Sequence, residues 1–191
     1  TFRELMIAHN TYSSSHAEIK DVLGDKAWVI SNKSGAVRSF GIYEAYQKES
    51  LYTVCLDDDV YPASNRHLAD MVAALETPHQ VEWVDTHPQK ARGVPYGLEK
   101  RETWFHMGLW WRNPDLDAPT RLTLGDDLYG ANDPQWHDYI EVVPPGMFFP
   151  HSAMNIAFKR ELAPAMYQLL MGPDWGLHRF DDVWSGLFLK K

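Results

Sequence analysis

Three carboxylates in a row, Asp57-Asp58-Asp59, follow directly on the apolar run Leu51-Tyr52-Thr53-Val54-Cys55-Leu56. Open α/β sheets bind ligands beyond the carboxyl ends of their strands, and a buried strand running into carboxylates puts them there. Crowded carboxylates repel one another and are best kept together by a divalent cation. All-oxygen ligation suits Mg²⁺ or Mn²⁺, ions that bridge one or two carboxylates and the phosphates of a nucleotide. Taken alone, the triplet reads more readily as a solvated acidic turn. A second pair, Asp181-Asp182, follows Arg179-Phe180. It reads either as a helix start, where carboxylates complement free amides and the macrodipole, or as carboxylates acting on a sugar. The residues by themselves favour the helix start. Lys33, Ser34 and Arg38 form a loop-to-helix junction whose cations and free amides could hold a diphosphate, with an ordinary surface loop as the default. Nine histidines include no HExxH pair, which argues against zinc hydrolysis, and neither GxGxxG nor a P-loop occurs.

These groups need elements to position them. Ser15 and Glu18 have the spacing of a capping box, and Gly24 stands where a helix stops, so a helix is predicted from Ser15 to Leu23. Ala27-Trp28-Val29-Ile30 reads as a strand, followed by the loop Ser31 to Gly35 and a helix from Arg38 to Lys48 with Phe40, Tyr43 and Tyr46 inward. Leu51 to Leu56 reads as a central strand covered on both faces. Leu68, Met71, Val72 and Leu75 mark an amphipathic helix, and Val81 to Val84 a further strand. This alternation is the grammar of a parallel α/β sheet. The middle, Asp85 to Pro145, is rich in Pro, Gly, Trp and charge and reads as binding loops. Asn155 to Phe158 is a strand candidate, Glu161 to Met171 a helix with Pro164 in its first turn, and Asp181 starts a helix running to Lys191.

Composition bounds the partners. The chain has 191 residues, 18 basic and 26 acidic, for a formal charge of −8. That balance argues against a nucleic-acid scaffold. At 45% hydrophobic there is ample material for one core. No apolar run approaches the roughly 18 to 20 residues that span a bilayer, and no signal-peptide pattern opens the chain. The single Cys55 forbids an intramolecular disulfide, and a cytoplasmic setting is the expectation.

Several blocks, in order, resemble one family. Ile19-Lys20-Asp21-Val22-Leu23-Gly24 through Ser39-Phe40-Gly41, then Leu56-Asp57-Asp58-Asp59, are similar to segments of the reversibly glycosylated polypeptides, the UDP-arabinopyranose mutase family. So are Gly108-Leu109-Trp110 with Asn113-Pro114-Asp115-Leu116-Asp117-Ala118-Pro119-Thr120, the block from Met154-Asn155-Ile156-Ala157-Phe158 to Leu170-Met171-Gly172, and Arg179-Phe180-Asp181-Asp182-Val183-Trp184-Ser185-Gly186.

The resemblance implies a single glycosyltransferase-A-like α/β domain over residues 1–191, with a mostly parallel sheet, helices on both faces and long irregular loops. Asp57 and Asp59 would hold Mn²⁺ (or Mg²⁺) on the diphosphate of a UDP-sugar. Arg3, Lys33, Ser34, Arg38, Asp58 and Asn155 would bind substrate, with Asn155, Asp181 and Asp182 facing the sugar. The implied activity interconverts the pyranose and furanose forms of a UDP-pentose such as UDP-arabinose, with self-glycosylation on an arginine for which Arg101 is the candidate. Catalytic roles fall to Arg101, Asp181 and Asp182. Two alternatives stay open: a glycosyltransferase with a separate acceptor, and a non-catalytic partner subunit. A homo- or hetero-oligomer is compatible with either. Against the family the chain looks short, after Glu4 and after Lys191.

Overall fold

Asn155 to Lys159 forms the strand around which the molecule is built. Ile156, Ala157 and Phe158 are each 0% exposed, so this strand must be covered on both faces. The computed structural model describes residues 14–62, 64–80, 100–108, 122–123, 142–143, 146–178 and 180–190. Its elements are α1 (His16–Leu23), α2 (Arg38–Gln47), β1 (Tyr52–Leu56), α3 (His67–Glu76), β2 (His79–Gln80), β3 (Lys100–Arg101), β4 (Phe105–Met107), β5 (Asn155–Lys159) and α4 (Asp181–Leu189). Three 3-10 segments, Gly24–Val29, Gly35–Val37 and Arg160–Met166, link them.

The main sheet has the order β1-β5-β4. Both pairings are antiparallel, with Val54 opposite Ala157, Cys55 opposite Ile156 and Leu56 opposite Asn155 on one side of β5, and His106 opposite Ala157 and Met107 opposite Ile156 on the other. Strand periodicity of two then divides the side chains. Cys55, Ile156, Phe158, Phe105 and Met107 face a core completed by Ile42 of α2, Ala153, Ala163, Met166 and Leu189 of α4. On the opposite face Ala157 meets Met71 and Leu75 of α3, with Tyr52 and Val54 packed alongside. A third cluster, Ile19, Ile30 and Phe40, seats α1 against α2.

Several expectations hold. The Ser15–Glu18 capping box is formed and opens α1. The strand expected at Leu51–Leu56, the helix from Arg38, the helix containing Met71 and Leu75, the strand from Asn155 and the helix from Asp181 are all present.

The parallel sheet is not. Among the described residues the three-stranded sheet is antiparallel throughout, and the fold is a mixed helix-and-strand arrangement. The parallel expectation needed Ala27–Ile30 as a neighbouring strand. That run instead closes a 3-10 turn over Gly24–Val29, with Trp28 65% exposed. Four apolar residues, separated by two residues from a helix-ending glycine, are too few to hold a place in a sheet against the local turn. The central position belongs to β5, while β1 flanks it and Leu56 is exposed. Glu161–Met171 winds as a 3-10 segment ending at Met166, where Pro164 removes an amide and excludes a regular α-helix. Tyr43 and Tyr46 are half-exposed and line a cavity of about 320 Å³ with Pro164 and Tyr167. The strand expected at Val81–Val84, Arg3 and nearly all of the Asp85–Pro145 stretch lie outside the described residues.

Phe158→Ala removes, from the middle of β5, the largest fully buried side chain among the described residues. Its expected cost is about 3–5 kcal/mol, measured by urea denaturation.

Candidate functional site

β1 and β4 end, and β5 begins, at the same edge of the sheet, because β5 runs antiparallel to both. The edge is stitched by main-chain bonds. The Asp57 amide donates to the Met154 carbonyl (3.1 Å) and the Gly108 amide to the Asn155 carbonyl (2.9 Å). Gly108 leaves room for Asn155, since a Cβ on Gly108 would overlap the Asn155 amide group.

Asp57, the first residue past β1, is ion-paired with Arg38, the first residue of α2. Each side chain is 26% exposed. Sequence reasoning placed these two groups in separate motifs; folding makes them one. Asp58 and Asp59 lie exposed in the turn that follows, closed by the Val60 amide on the Asp57 carbonyl (3.3 Å).

α4 delivers the second pair of carboxylates. The residue before it, Phe180, has φ +76°, a left-handed conformation that is strained for a bulky side chain. Phe180 supplies no side-chain cap, but both carboxylates lie in the first turn of α4, as the residues alone suggested. Asp182 Oδ1 accepts the Val183 amide of that turn (2.9 Å), and its Oδ2 reaches outside the helix to accept the Ala153 amide (2.9 Å). Asp181 lies against the 3-10 segment at Gly35, where a Cβ would come within 2.8 Å of its Oδ2. Burial, and then the neighbouring Asp182 charge, raises the Asp181 carboxyl above its usual 3.8, while the Arg38 cation opposes them.

Lys33 and Ser34 sit in the loop leading into Gly35. Lys33 has φ +55°, and the loop is held by the Met171 amide on Ser31 Oγ (2.8 Å). Gly172 lies so close that a Cβ there would meet the Asn32 carbonyl at 2.9 Å. Two acceptors in this region are buried with no protein partner among the described residues: Ser34 Oγ and Asn155 Oδ1. Asn155 is only 5% exposed. A buried amide oxygen without a donor is costly, and a ligand hydroxyl or amide would satisfy it.

The structure therefore brings together Arg38, Asp57, Asn155, Asp181 and Asp182, with Lys33 and Ser34 on the adjoining loop. It does not bring Arg101 to the same sheet: Arg101 lies in β3, opposite His79 of β2, in a separate two-stranded ribbon. Arg3 lies outside the described residues. Two further residues behind the carboxylates escaped sequence reasoning, His151 and Ser185, whose side chains hydrogen-bond at 2.7 Å; nothing in their local pattern marks them.

A mixed helix-and-strand protein with carboxylates, a guanidinium and an unsatisfied amide oxygen gathered at one sheet edge is equipped to hold a polar, hydroxyl-rich anionic ligand. Residues 6–191 match the family described as reversibly glycosylated polypeptide, and the chain belongs to that family. Among its relatives, "Probable UDP-arabinopyranose mutase 2" of Solanum tuberosum is 36% identical over 189 residues, covering 91% of this chain and 50% of the relative. "UDP-arabinopyranose mutase 3" of Arabidopsis thaliana is 35% identical over 189 residues, with 91% and 50% covered. "UDP-arabinopyranose mutase 1" of the same plant is 34% identical, with 91% and 51% covered. The chain spans about half the length of the curated relatives it matches.

The raised Asp181 carboxyl has a pH signature. A carboxyl with a folded pKa above its unfolded one binds its proton more tightly in the folded chain. Stability therefore falls as pH rises from the usual 3.8 through the raised value, and stays lower above it. Asp181→Asn removes that cost. Its melting temperature is expected to exceed wild type at neutral pH, with the gain vanishing as pH falls to the ordinary carboxylate value, as followed by thermal denaturation across pH.

Proposed function

We propose that this chain binds a UDP-sugar at the β1–β5 edge and interconverts the pyranose and furanose forms of a UDP-pentose such as UDP-arabinose. The observation that carries this reading is the buried Asn155 Oδ1, without a partner among the described residues, at the strand end that also carries the Arg38–Asp57 pair. An orphan acceptor suits a sugar hydroxyl, and the guanidinium suits phosphate oxygens. The names of the relatives support the choice of reaction. On this reading the edge is the nucleotide-sugar face of a glycosyltransferase-A type domain.

Among the described residues no group of three His, Cys, Asp or Glu side chains is preassembled for a metal. The donor set instead fits an ion whose coordination is completed by substrate, since Mg²⁺ and Mn²⁺ sites at phosphates commonly use one or two carboxylates. Asp57 and Asp59 would hold such an ion, which when bound draws negative charge from departing UDP. Arg38 shares its charge between Asp57 and the diphosphate, and Lys33, Ser34 and Asp58 line the approach. Asn155 orients the sugar through a hydroxyl. Asp181, with its raised affinity for a proton, faces the ring hydroxyl oxygen that must lose or regain one as the ring re-forms. Because UDP leaves and returns to the same sugar, no acceptor is needed. Self-glycosylation on Arg101, a homo- or hetero-oligomer and a cytoplasmic setting belong to the same reading. The last is in keeping with Cys55, buried in the core with its thiol pushed up to about 11, and with the lack, among the described residues, of a helix long and apolar enough to cross a membrane.

The test is incubation with UDP-arabinopyranose and Mn²⁺, followed by chromatography of the nucleotide sugars. UDP-arabinofuranose is expected without added acceptor, and Asp57→Asn combined with Asp59→Asn is expected to slow its formation by about 10²-fold or more. Sugar transfer only when an acceptor is supplied, or no metal-dependent binding of UDP, would overturn the reading. Arg101→Ala is expected to abolish incorporation of labelled sugar into the protein; retained labelling removes Arg101 from the mechanism.

A further inference from the structure

Behind the carboxylates runs a hydrogen-bonded chain that no role yet explains. His151 is 1% exposed and Ser185 is 0% exposed. The Ser185 hydroxyl donates to the Asp182 carbonyl oxygen (2.7 Å), so its proton is committed. The 2.7 Å contact between His151 Nε2 and Ser185 Oγ then requires the imidazole to donate from Nε2. The polarity of the two contacts favours the Nε2–H tautomer, and Nδ1 has no hydrogen-bond partner among the described residues. Burial also pushes the His151 pKa down and favours the neutral ring. The chain has one polarity: Nε2–H to Oγ, then O–H to the main chain of Asp182.

Two residues beyond His151, the Ala153 amide donates to the carboxylate of the same aspartate (2.9 Å). The segment 151–153 thus reaches Asp182 directly at its side chain, through the Ala153 amide, and at its carbonyl only by way of Ser185. The packing is close. A Cβ on Gly186 would run into the Phe149 carbonyl oxygen, and the Phe105 ring packs 4.8 Å from the imidazole. An apolar pair would fill this space without desolvating two polar side chains. What hydrogen bonds add there is direction.

We propose that His151 and Ser185 are positioning residues, which fix the first turn of α4 so that Asp181 and Asp182 stand at the sheet edge in one orientation. What those carboxylates act on rests on the nucleotide-sugar reading; the positioning itself does not.

The experiment compares Ser185→Ala with the double variant His151→Met/Ser185→Ala. The single change leaves a buried imidazole N–H unpaired and lowers the melting temperature; the double change removes both polar groups and regains most of it. Amide hydrogen exchange is then read at Ala153 relative to Ala157 of β5, a ratio that global stability moves little. In both variants that ratio is expected to rise about tenfold. In the double variant kcat for the UDP-pentose is expected to fall about tenfold with KM changed by less than about twofold. An unchanged exchange ratio, or a double variant with wild-type kcat, would reduce the pair to packing and overturn the proposal. If the wild-type chain turns over no UDP-pentose, the functional reading fails and the exchange ratio alone decides the positioning.

Discussion

A strand with three successive side chains removed from water must be covered on both faces, and the rest of this structure follows from that requirement at β5. Ile156 and Phe158 face the core shared by α2, α4 and the Arg160–Met166 segment, and Ala157 faces α3. The burial of Phe158 alone is worth on the order of 2–3 kcal/mol. Because β5 pairs on both sides, its start lies level with the ends of β1 and β4. The site is the place where those three ends meet.

That edge is acidic in a chain that is already acidic, and the fold manages the repulsion locally. Arg38 comes from α2, Asp57 from β1, and their pairing neutralises the carboxylate nearest the sheet. A half-exposed ion pair of this kind contributes little net stability. Its importance is positional: it ties the start of a helix to the end of a strand 19 residues later. Asp58 and Asp59 have no ion-pair partner among the described residues and are exposed to water, where repulsion is screened. Asp181 is held where burial and Asp182 both oppose its charge, the kind of unfavourable placement that recurs where carboxylates exchange protons.

Local reading worked where the information was local. The Ser15–Glu18 box forms because its two bonds span three residues, and the helical spacing of Met71 and Leu75 puts both in the core. The Ala27–Ile30 run failed for the complementary reason. Its composition suits a strand, yet a strand exists only if a neighbour offers unpaired amides and carbonyls, and the chain closed on itself in a 3-10 turn instead. The apolar run of β1 is a strand but not the centre: only Cys55 within it is buried, because burial follows from which strands and helices lie alongside, and β5 takes the middle place.

The sequence by itself determined the chemical inventory: the Asp57–Asp59 triplet at a strand end, Asp181-Asp182 at a helix start, Asn155 at the head of an apolar strand, and, through its ordered blocks, the family. Only the tertiary structure decided that the sheet is antiparallel, that Asp57 is paired with Arg38, that Asp182 takes the Ala153 amide, and that His151 meets Ser185. Each is a contact between residues from 19 to about 100 positions apart. Propensity and spacing act over a few residues along the chain. Partners at such distances are chosen when β5 is buried, and by which groups that burial brings within hydrogen-bonding reach.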